Sequence, residues 1–500
     1  MTGIAILNEI KSQTSLTWNQ QTLLTHSFLN SHNQESDTKE FLNKLYDQFV
    51  DTWLAEMGNS NKKIVEKLTE PYPRQRIVEF AEKLAREKEI EKALRIVECF
   101  IDDPDPCLPK DEKDEESKKY NEHKKILEGH GSPTITSVRG YCAWTTQHCL
   151  VMEGRTTAIL DKIIAFTAKL ADKKIENYYV KHMVCFPLAR LAQLRLAHTG
   201  DNETLFFEIY GGRKQALEKA KEIEAMAFDL LKQISEYPEA AQNELSKSIL
   251  SVFNYIRGLN TVDAKKLIDL LLKFSPEAIG ESAALFIYFA YYRKGAFLEW
   301  KWQEKGLYDD LAEFDEKYFV EKLNKFLDCK DGAIISKFAW HLFLLTDNKH
   351  EKNATQYFQD FKFAYEGLLK MIKHYDKNTF GTIFRFIHEN MKYAFDDCYK
   401  LFLKWLESIP AEKGLNDLGY QQYDDLLEEI KKHGGNDEFL KSLGLLLAKP
   451  GAYAVWRLDS ALGHLKSFPK NNRTVNKLFD QLIGMNSRYF ADKQEWLNKT

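Results

Sequence analysis

The sequence predicts an all-α fold, built as a solenoid of helical hairpins with irregular repeats. Three observations favour this class. Apolar residues recur at spacings of three and four along most of the chain, which is the pattern of amphipathic helices. Only 12 prolines and 24 glycines occur in 500 residues, so the residues that form most turns between strands are scarce. A chain of this length also exceeds one ordinary core, whereas a stacked array buries an interior that grows with length.

The composition fits a folded protein without a dominant charge. Hydrophobic residues make up 44% of the chain and charged residues 29%, which is enough to form packed cores and to cover them. The 70 Lys and Arg residues are balanced by 74 Asp and Glu residues, for a net charge of -4. No global positive field is therefore predicted to attract a phosphate backbone.

The cysteines and the N-terminus predict a cytoplasmic protein. Seven cysteines make an odd number, and most lie in apolar helical contexts, so a disulfide framework is not expected. Residues 1–16 lack the basic start and the apolar core of a signal peptide. The longest apolar run, residues 283–292, is too short to cross a bilayer, and no membrane association is predicted.

Changes in pattern divide the chain into five segments. Residues 1–101 predict N-terminal helical hairpins, with a break near 86–89 between two helices of one hairpin. Residues 102–132 predict an exposed acidic loop, since eight acidic and four basic residues lie between Asp102 and Lys119. A solvated loop is favoured there over a site for a divalent cation or a basic partner. The remaining segments are a repeat pair at 133–210, irregular helical repeats at 211–439 and a basic helical segment at 440–500.

A short pattern, V-[R/K]-x-x-[C/V]-[A/C], occurs twice in the repeat pair. It begins at Val138 and again at Val180, 42 residues later, which lies within the period of about 40 to 47 residues of two-helix and three-helix repeats. The valine is expected to pack under the neighbouring hairpin, and the small residues let two helices approach closely. A fainter copy, IISKFAW at 334–340, lacks the cation. The pattern predicts that each hairpin docks on the previous one.

The two copies resemble HEAT repeats, which belong to the armadillo-type α-solenoids. The residues that carry the resemblance are Asp172, Val180, Lys181, Val184 and Cys185, preceded by Val138, Arg139, Cys142 and Ala143. The resemblance concerns the fold alone. Pro187 lies within the second copy and is expected to kink its helix.

Arg139 and Lys181 occupy the same position of the two copies, and two roles are open for them. Stacked repeats bring equivalent residues into a ladder, so both cations can line one edge of a concave surface and bind an acidic peptide or phosphates. Cations at such positions also commonly bond a carboxylate or a carbonyl of the adjoining turn. This internal role weighs more than the binding role.

No motif predicts a catalytic centre, a metal site or a cofactor. A phosphate-binding loop is missing, because GGRKQ at 211–215 lacks both the upstream glycine and the closing Ser or Thr. HENMK has Lys392 where a zinc-protease helix has its second histidine. Cys142 and Cys149 lack the close spacing of metal ligands, so a packing role is expected for them. The aromatic helices at 358–405 are likewise expected to form core.

The C-terminal segment is locally basic. After Leu440 there are ten Lys or Arg residues and four Asp or Glu residues. These cations interleave with aromatic residues, a mixture that suits stacking on bases and contact with phosphates. The candidate nucleic-acid contacts are Arg457, Lys466, Lys470 and Arg473.

The sequence favours a non-catalytic helical-repeat scaffold or adaptor, and we expect a protein partner. The alternative is a nucleic-acid-binding HEAT-like protein, because some HEAT-like proteins are DNA glycosylases. A third hypothesis, a sensor or adaptor arm of a larger bacterial assembly, rests on analogy.

Overall fold

A computed structural model describes the chain as two compact units, which divide between Ala278 and Ile279. The described residues are 9, 12, 17, 19–24, 43, 46–56, 58–105, 137–151, 156–172, 178–196, 198–199, 203–237, 239, 242–243, 245, 250, 252, 261–292, 315–347, 353–415, 423–450, 459–485 and 487–498. The division between the units falls inside the segment 211–439, for which irregular repeats are predicted.

The first unit is built from helices of five to 23 residues. A π-helical turn, Tyr46–Val50, leads into α1, Asp51–Glu56. The following helices are α2 (Asn61–Lys67), α3 (Pro71–Arg86), α4 (Ile90–Phe100), α5 (Val138–Val151), α6 (Thr157–Ala171), α7 (Tyr178–Leu196), α8 (Leu205–Ile209), α9 (Arg213–Ser235) and α10 (Thr261–Leu271). A pair of strands, β1 (His198–Thr199) and β2 (Glu203–Thr204), precedes α8.

The strand pair corrects one expectation, because no strands are predicted from the sequence. The antiparallel pairing joins His198 to Thr204 and Thr199 to Glu203. Sequence patterns reveal strands by alternation over about four to eight residues, which strands of two residues do not offer. Helices form the rest of the regular structure in the described residues, and the all-α class is confirmed.

Local signals explain where several helices begin. Thr156 precedes α6, and its hydroxyl accepts a hydrogen bond from the backbone N–H of Ile159 at 3.3 Å, as an N-cap does. α3 starts at Pro71, whose fixed φ suits a first helical turn. Between α3 and α4, Lys88 adopts a φ of 67°, and this left-handed residue turns the chain at the break predicted for 86–89.

The helices of the first unit pack in two rows. α3, α5, α7 and α9 form one row, in which each helix contacts the next. α4 and α6 contact each other and also the row helices that precede and follow them in the chain. Every described side chain of α5 is buried or half-buried. This is the packing of hairpins that bury their apolar faces by stacking on their neighbours.

The second unit contains the helices that follow Ala278. Its described helices, together with the one that crosses the division, are α11 (Pro276–Glu281), α12 (Ala283–Ile287), α13 (Glu316–Leu327), α14 (Gly332–Leu344), α15 (Ala354–Met371), α16 (Lys377–Asn390), α17 (Phe395–Ser408), α18 (Tyr423–Gly434), α19 (Asn436–Leu447), α20 (Asp459–Lys466), α21 (Arg473–Met485) and α22 (Tyr489–Asn498). A π-helical turn, Tyr288–Tyr292, follows α12.

The second unit also shows an alternating packing order. α13, α15, α17, α19 and α21 form a row in which each helix contacts the next. Of the helices between them, α14 contacts α16, α18 contacts α20, and α20 contacts α22. A Cβ at Gly280 would lie 2.7 Å from the carbonyl O of Ala333, so α11 can approach the start of α14 only with glycine at this position.

The aromatic helices of the second unit supply core, as predicted for residues 358–405. Phe361, Phe384, Phe402 and Trp405 are buried, whereas Phe358 is half exposed. In the first unit, α7 continues through the buried Pro187 to Leu196. Within the described residues, no helix has both the length and the apolar composition needed to cross a bilayer.

Candidate binding face on α5 and α7

Lys181 is buried at the start of α7 and bonds to the end of the preceding helix. Its side chain is 0% exposed, and its ammonium donates hydrogen bonds to the carbonyls of Ala171 at 2.7 Å and Asp172 at 2.6 Å. Burial lowers the pKa of Lys181 to about 8, against the opposing effect of Asp172. A fully buried ammonium has no surface to offer a partner, so Lys181 occupies the internal role.

Arg139 makes an equivalent bond at the start of α5. Its Nε donates to the carbonyl of Asp105 at 3.2 Å, and its backbone N–H reaches the same oxygen at 3.3 Å. The Asp105 carboxylate accepts from the backbone N–H of Val138 at 2.7 Å and so caps α5. Arg139 is half-buried and ties α5 to the chain that follows α4.

Arg74 makes a comparable bond in the first turn of α3, although no repeat of the V-[R/K] pattern marks it in the sequence. Its Nη1 donates to the carbonyl of Leu68, the residue that ends α2, at 2.6 Å. Its Nε and Nη2 donate to the two carboxylate oxygens of Asp103 at 2.8 and 3.1 Å. Arg74 is 2% exposed and Asp103 is 1% exposed, so this two-pronged ion pair is fully buried.

The three cations therefore repeat one device along the α3, α5 and α7 row. Each lies in the first turn of its helix and donates to a backbone carbonyl at or beyond the end of an earlier helix. The carbonyls that Arg74 and Lys181 bond lie at helix C-termini, where they lack intrahelical partners and carry partial negative charge, so a cation there is stabilising. The V-[R/K] pattern recurs because each copy fastens its helix to the preceding one.

The first acidic residues of the predicted loop have separate roles. Asp102 is exposed and forms an ion pair with Lys169, while Asp103 and Asp105 belong to the bonds around Arg74 and Val138. Burial raises the pKa of Asp105, and its bonds to Val138 and Gln75 oppose that rise. An exposed loop was predicted from residue 102, yet Asp103 is core. Residues 106–136 lie outside the described residues.

Four rings form a continuous strip across α5 and α7, which we call the ring strip: His148, Trp144, Phe186 and His182. Trp144 meets His148 at a centroid distance of 5.0 Å and Phe186 at 5.7 Å, and Phe186 meets His182 at 5.4 Å. All three contacts are edge-to-face, the geometry that aromatic quadrupoles favour. Each of the four side chains is half-buried, so the strip is partly accessible at the surface of α5 and α7.

Trp144 and Phe186 are equivalent residues of the two repeat copies, since they also lie 42 residues apart. Stacked repeats bring such residues side by side, and a ladder was predicted for the cations at Arg139 and Lys181. The pair in which both residues are partly accessible is the aromatic one, five residues farther along each copy, whereas Lys181 of the cation pair is buried. The repeated pattern identifies equivalent residues, but it does not show that Lys181 is fully buried while Trp144 and Phe186 are half-buried.

The charges beside the ring strip are mostly paired. His148 Nε2 lies 3.4 Å from Glu82 Oε1 on α3, and that oxygen accepts two hydrogen bonds from Arg86. Burial lowers the pKa of His148, while Glu82 opposes the shift, and Arg86 and Arg190 add to it. His148 is therefore neutral at pH 7, and the strip presents largely uncharged aromatic surface.

His182 predicts a measurable loss of stability in acid. Burial lowers the pKa of His182 from 6.5 to about 4 in the folded state. Between these values the unfolded chain binds a proton that the folded chain does not, so the free energy of unfolding falls by about 2 to 3 kcal/mol as the pH drops from 6.5 to 4. Urea unfolding at several pH values should show this slope in the wild type and a flatter one in His182→Gln. Equal slopes in both proteins would contradict the assignment.

The thiols do not form a nucleophilic site in the described residues. Burial raises the pKa of Cys149 and Cys185 to about 12, and it raises that of Cys142 well above its ordinary value. A cysteine nucleophile needs the opposite shift, toward the thiolate. The described residues also contain no group of three or more His, Cys, Asp or Glu side chains placed to hold a metal ion.

Three of the four predicted nucleic-acid contacts lie within the described residues. Lys466 donates to Asp492 at 2.7 Å and to Glu495 at 2.8 Å, so two carboxylates already neutralise it. Lys470 and Arg473 are exposed near the start of α21. Arg457 lies outside the described residues. Among the described candidates, Lys466 is the one whose charge is paired with carboxylates of the same segment.

No protein-family model matches the chain, and no curated protein sequence matches it. Among solved structures, it is similar to an engineered protein from the Northeast Structural Genomics Consortium, with a TM-score of 0.25, 12% identity, and coverage of 97% of this chain and 99% of that one. It is also similar to a circular tandem repeat protein with a novel repeat topology, with a TM-score of 0.25, 10% identity, and coverage of 99% and 95%. Scores this low carry no argument about function, and the fold class rests on the helices themselves.

Proposed function

We propose that the protein is a non-catalytic scaffold of HEAT-like helical repeats, which binds a protein partner through the ring strip on α5 and α7. The observation that carries the proposal is the edge-to-face contact of Trp144 and Phe186, equivalent residues of the two copies that are both partly accessible. The shared cation device along α3, α5 and α7 supports the repeat character.

The chemistry of the ring strip suits a protein interface. Aromatic side chains supply large contact areas with few rotatable bonds, and they are enriched where partners bind most strongly. The rings here are already held by mutual contacts and by the packing of α5 against α7, so binding orders few additional side chains. An adaptor arm of a larger assembly would also act by binding another protein, so the ring strip fits that hypothesis as well.

Affinity purification from the source cells tests the proposal. We expect the full-length protein to recover a partner, and a Trp144→Ala/Phe186→Ala variant to recover more than about 10-fold less of it, because loss of two central aromatic anchors removes most of an interface's binding energy. Phe490→Ala is the matched control, since Phe490 is exposed on α22 in the other unit. Circular dichroism checks that each variant is folded.

Two outcomes would contradict the proposed function. The first is an unchanged set of recovered proteins with the double variant. The second is salt-sensitive binding of DNA or RNA by the purified protein in gel shifts at two salt concentrations, because phosphate contacts weaken steeply as salt rises.

A further inference from the structure

A second surface, on α14, α15 and α16, concentrates exposed apolar side chains. Of the nine large apolar side chains that are exposed in the described residues, four lie between 340 and 393, on or directly after three helices of which α14 contacts the other two. They are Trp340, Leu344, Phe358 and Tyr393, and we call them the Trp340 patch. Soluble proteins rarely leave such groups together at the surface without a binding role.

A buried polar chain holds the parts of this patch in place. Tyr357 Oη donates to Asn390 Oδ1 at 2.7 Å, and Asn390 Nδ2 donates to Thr346 Oγ1 at 3.2 Å. The Tyr357 ring also contacts Tyr393 at a centroid distance of 5.6 Å. The end of α14, the start of α15 and the end of α16 are thereby tied together, so Leu344, Phe358 and Tyr393 project from one fixed framework.

Arg385 supplies a positioned cation beside the patch. Its guanidinium carbon lies 4.8 Å from the ring centroid of Phe343 and 5.7 Å from that of Trp340, and its Nε donates to Glu389 at 2.8 Å. No residue in the described part of the chain accepts a hydrogen bond from its two Nη groups. The guanidinium is therefore oriented by stacking and by Glu389, while half of its side chain remains exposed.

We propose that the Trp340 patch binds a segment of a partner protein that carries an Asp or Glu next to a large apolar side chain. The two Nη groups form a fork that matches a carboxylate, and Trp340 with Leu344 gives the adjoining apolar contact. Lys392, placed 4.9 Å from the Tyr393 ring centroid, adds a second cation at the edge. Two cations are too few to hold a phosphate backbone, which favours an acidic peptide segment over nucleic acid. The inference rests on the proposed binding role but uses a surface separate from the ring strip.

Peptide selection on the purified protein tests this inference. A random peptide library displayed on phage is selected on the full-length protein and depleted on its Trp340→Ala variant. We expect the enriched peptides to carry Asp or Glu within two positions of a large apolar residue. A synthetic copy of the best peptide should bind Arg385→Ala and Trp340→Ala more than about 10-fold more weakly than wild type. Arg385→Lys should lose most of the affinity as well, because lysine keeps the charge but not the fork.

Matched controls separate this site from others. Arg86→Ala removes an exposed arginine that also pairs with a glutamate one turn away, and it should leave peptide affinity within about twofold of wild type. Trp144→Ala/Phe186→Ala should leave it unchanged too, so a failure of the ring strip and a failure of the Trp340 patch are distinguishable. The inference is overturned by no enrichment over Trp340→Ala, by enriched peptides without acidic residues, by full affinity in Arg385→Ala, or by displacement of the peptide with a single-stranded oligonucleotide.

Discussion

We expect an Asp103→Asn variant to unfold with a free energy about 3 to 5 kcal/mol lower than that of the wild type. Asparagine keeps the shape of the side chain but removes its charge. Arg74 would then stay buried, at 2% exposure, without the carboxylate that now accepts from its Nε and Nη2. Urea unfolding followed by circular dichroism at pH 7 measures the difference.

Asp102→Asn is the matched control for this prediction. The neighbouring Asp102 forms its ion pair with Lys169 at the surface, where its side chain is 57% exposed. Exposed pairs contribute less than about 1 kcal/mol, because water and salt screen the charges. Equal losses in the two variants would mean that Asp103 is not a buried anchor, and the account of the Arg74 bond would then be wrong.

Trp405→Ala should have an effect of similar size in the second unit, again about 3 to 5 kcal/mol. Trp405 is 0% exposed, and its indole N–H donates to the carbonyl of Phe380 at 3.0 Å. Its ring contacts Phe384 of α16 at 5.3 Å and Tyr423 of α18 at 6.5 Å. Truncation leaves a cavity at a point where three helices meet, and it removes the hydrogen bond from the indole N–H. Thermal and urea unfolding both report the loss.

Trp340→Ala provides the comparison for the same residue type at the surface. Trp340 is 39% exposed, so its truncation opens no closed cavity and should cost less than about 1 kcal/mol. A loss as large as that of Trp405→Ala would show that Trp340 is core. It would also remove the basis for using this variant in peptide selection.

The helices and their stacking were predictable because periodic spacing of apolar residues reports a buried face directly. The break at Lys88 follows from a local change in pattern, and the pairing of α5 with α7 follows from the repeat that begins at Val138 and again at Val180. Strands of two residues gave no such signal. The division of the chain at Ala278 depends on contacts that no local pattern encodes.

The candidate binding surfaces were harder to predict, because the sequence does not show which face of an apolar helix is enclosed. Arg74 follows Pro73 instead of a valine, so it does not match the V-[R/K] pattern. It nevertheless donates to a backbone carbonyl near the end of an earlier helix, as Lys181 does. Asp103 lies in an acidic run of the sequence. The structure shows that it is buried and forms an ion pair with Arg74. The IISKFAW copy ends at Trp340, equivalent to Trp144, and its exposure is visible only once α14 is packed.

Site-specific photo-crosslinking tests most directly whether the ring strip binds a partner. A benzophenone amino acid replaces Phe186 in the full-length protein, and in a control it replaces Ala168, an exposed residue on α6. We predict that irradiation in the source cells gives a discrete adduct with another protein at position 186 and none at position 168. Adducts at both positions, or at neither, would contradict the claim that the Trp144 and Phe186 surface is the binding face.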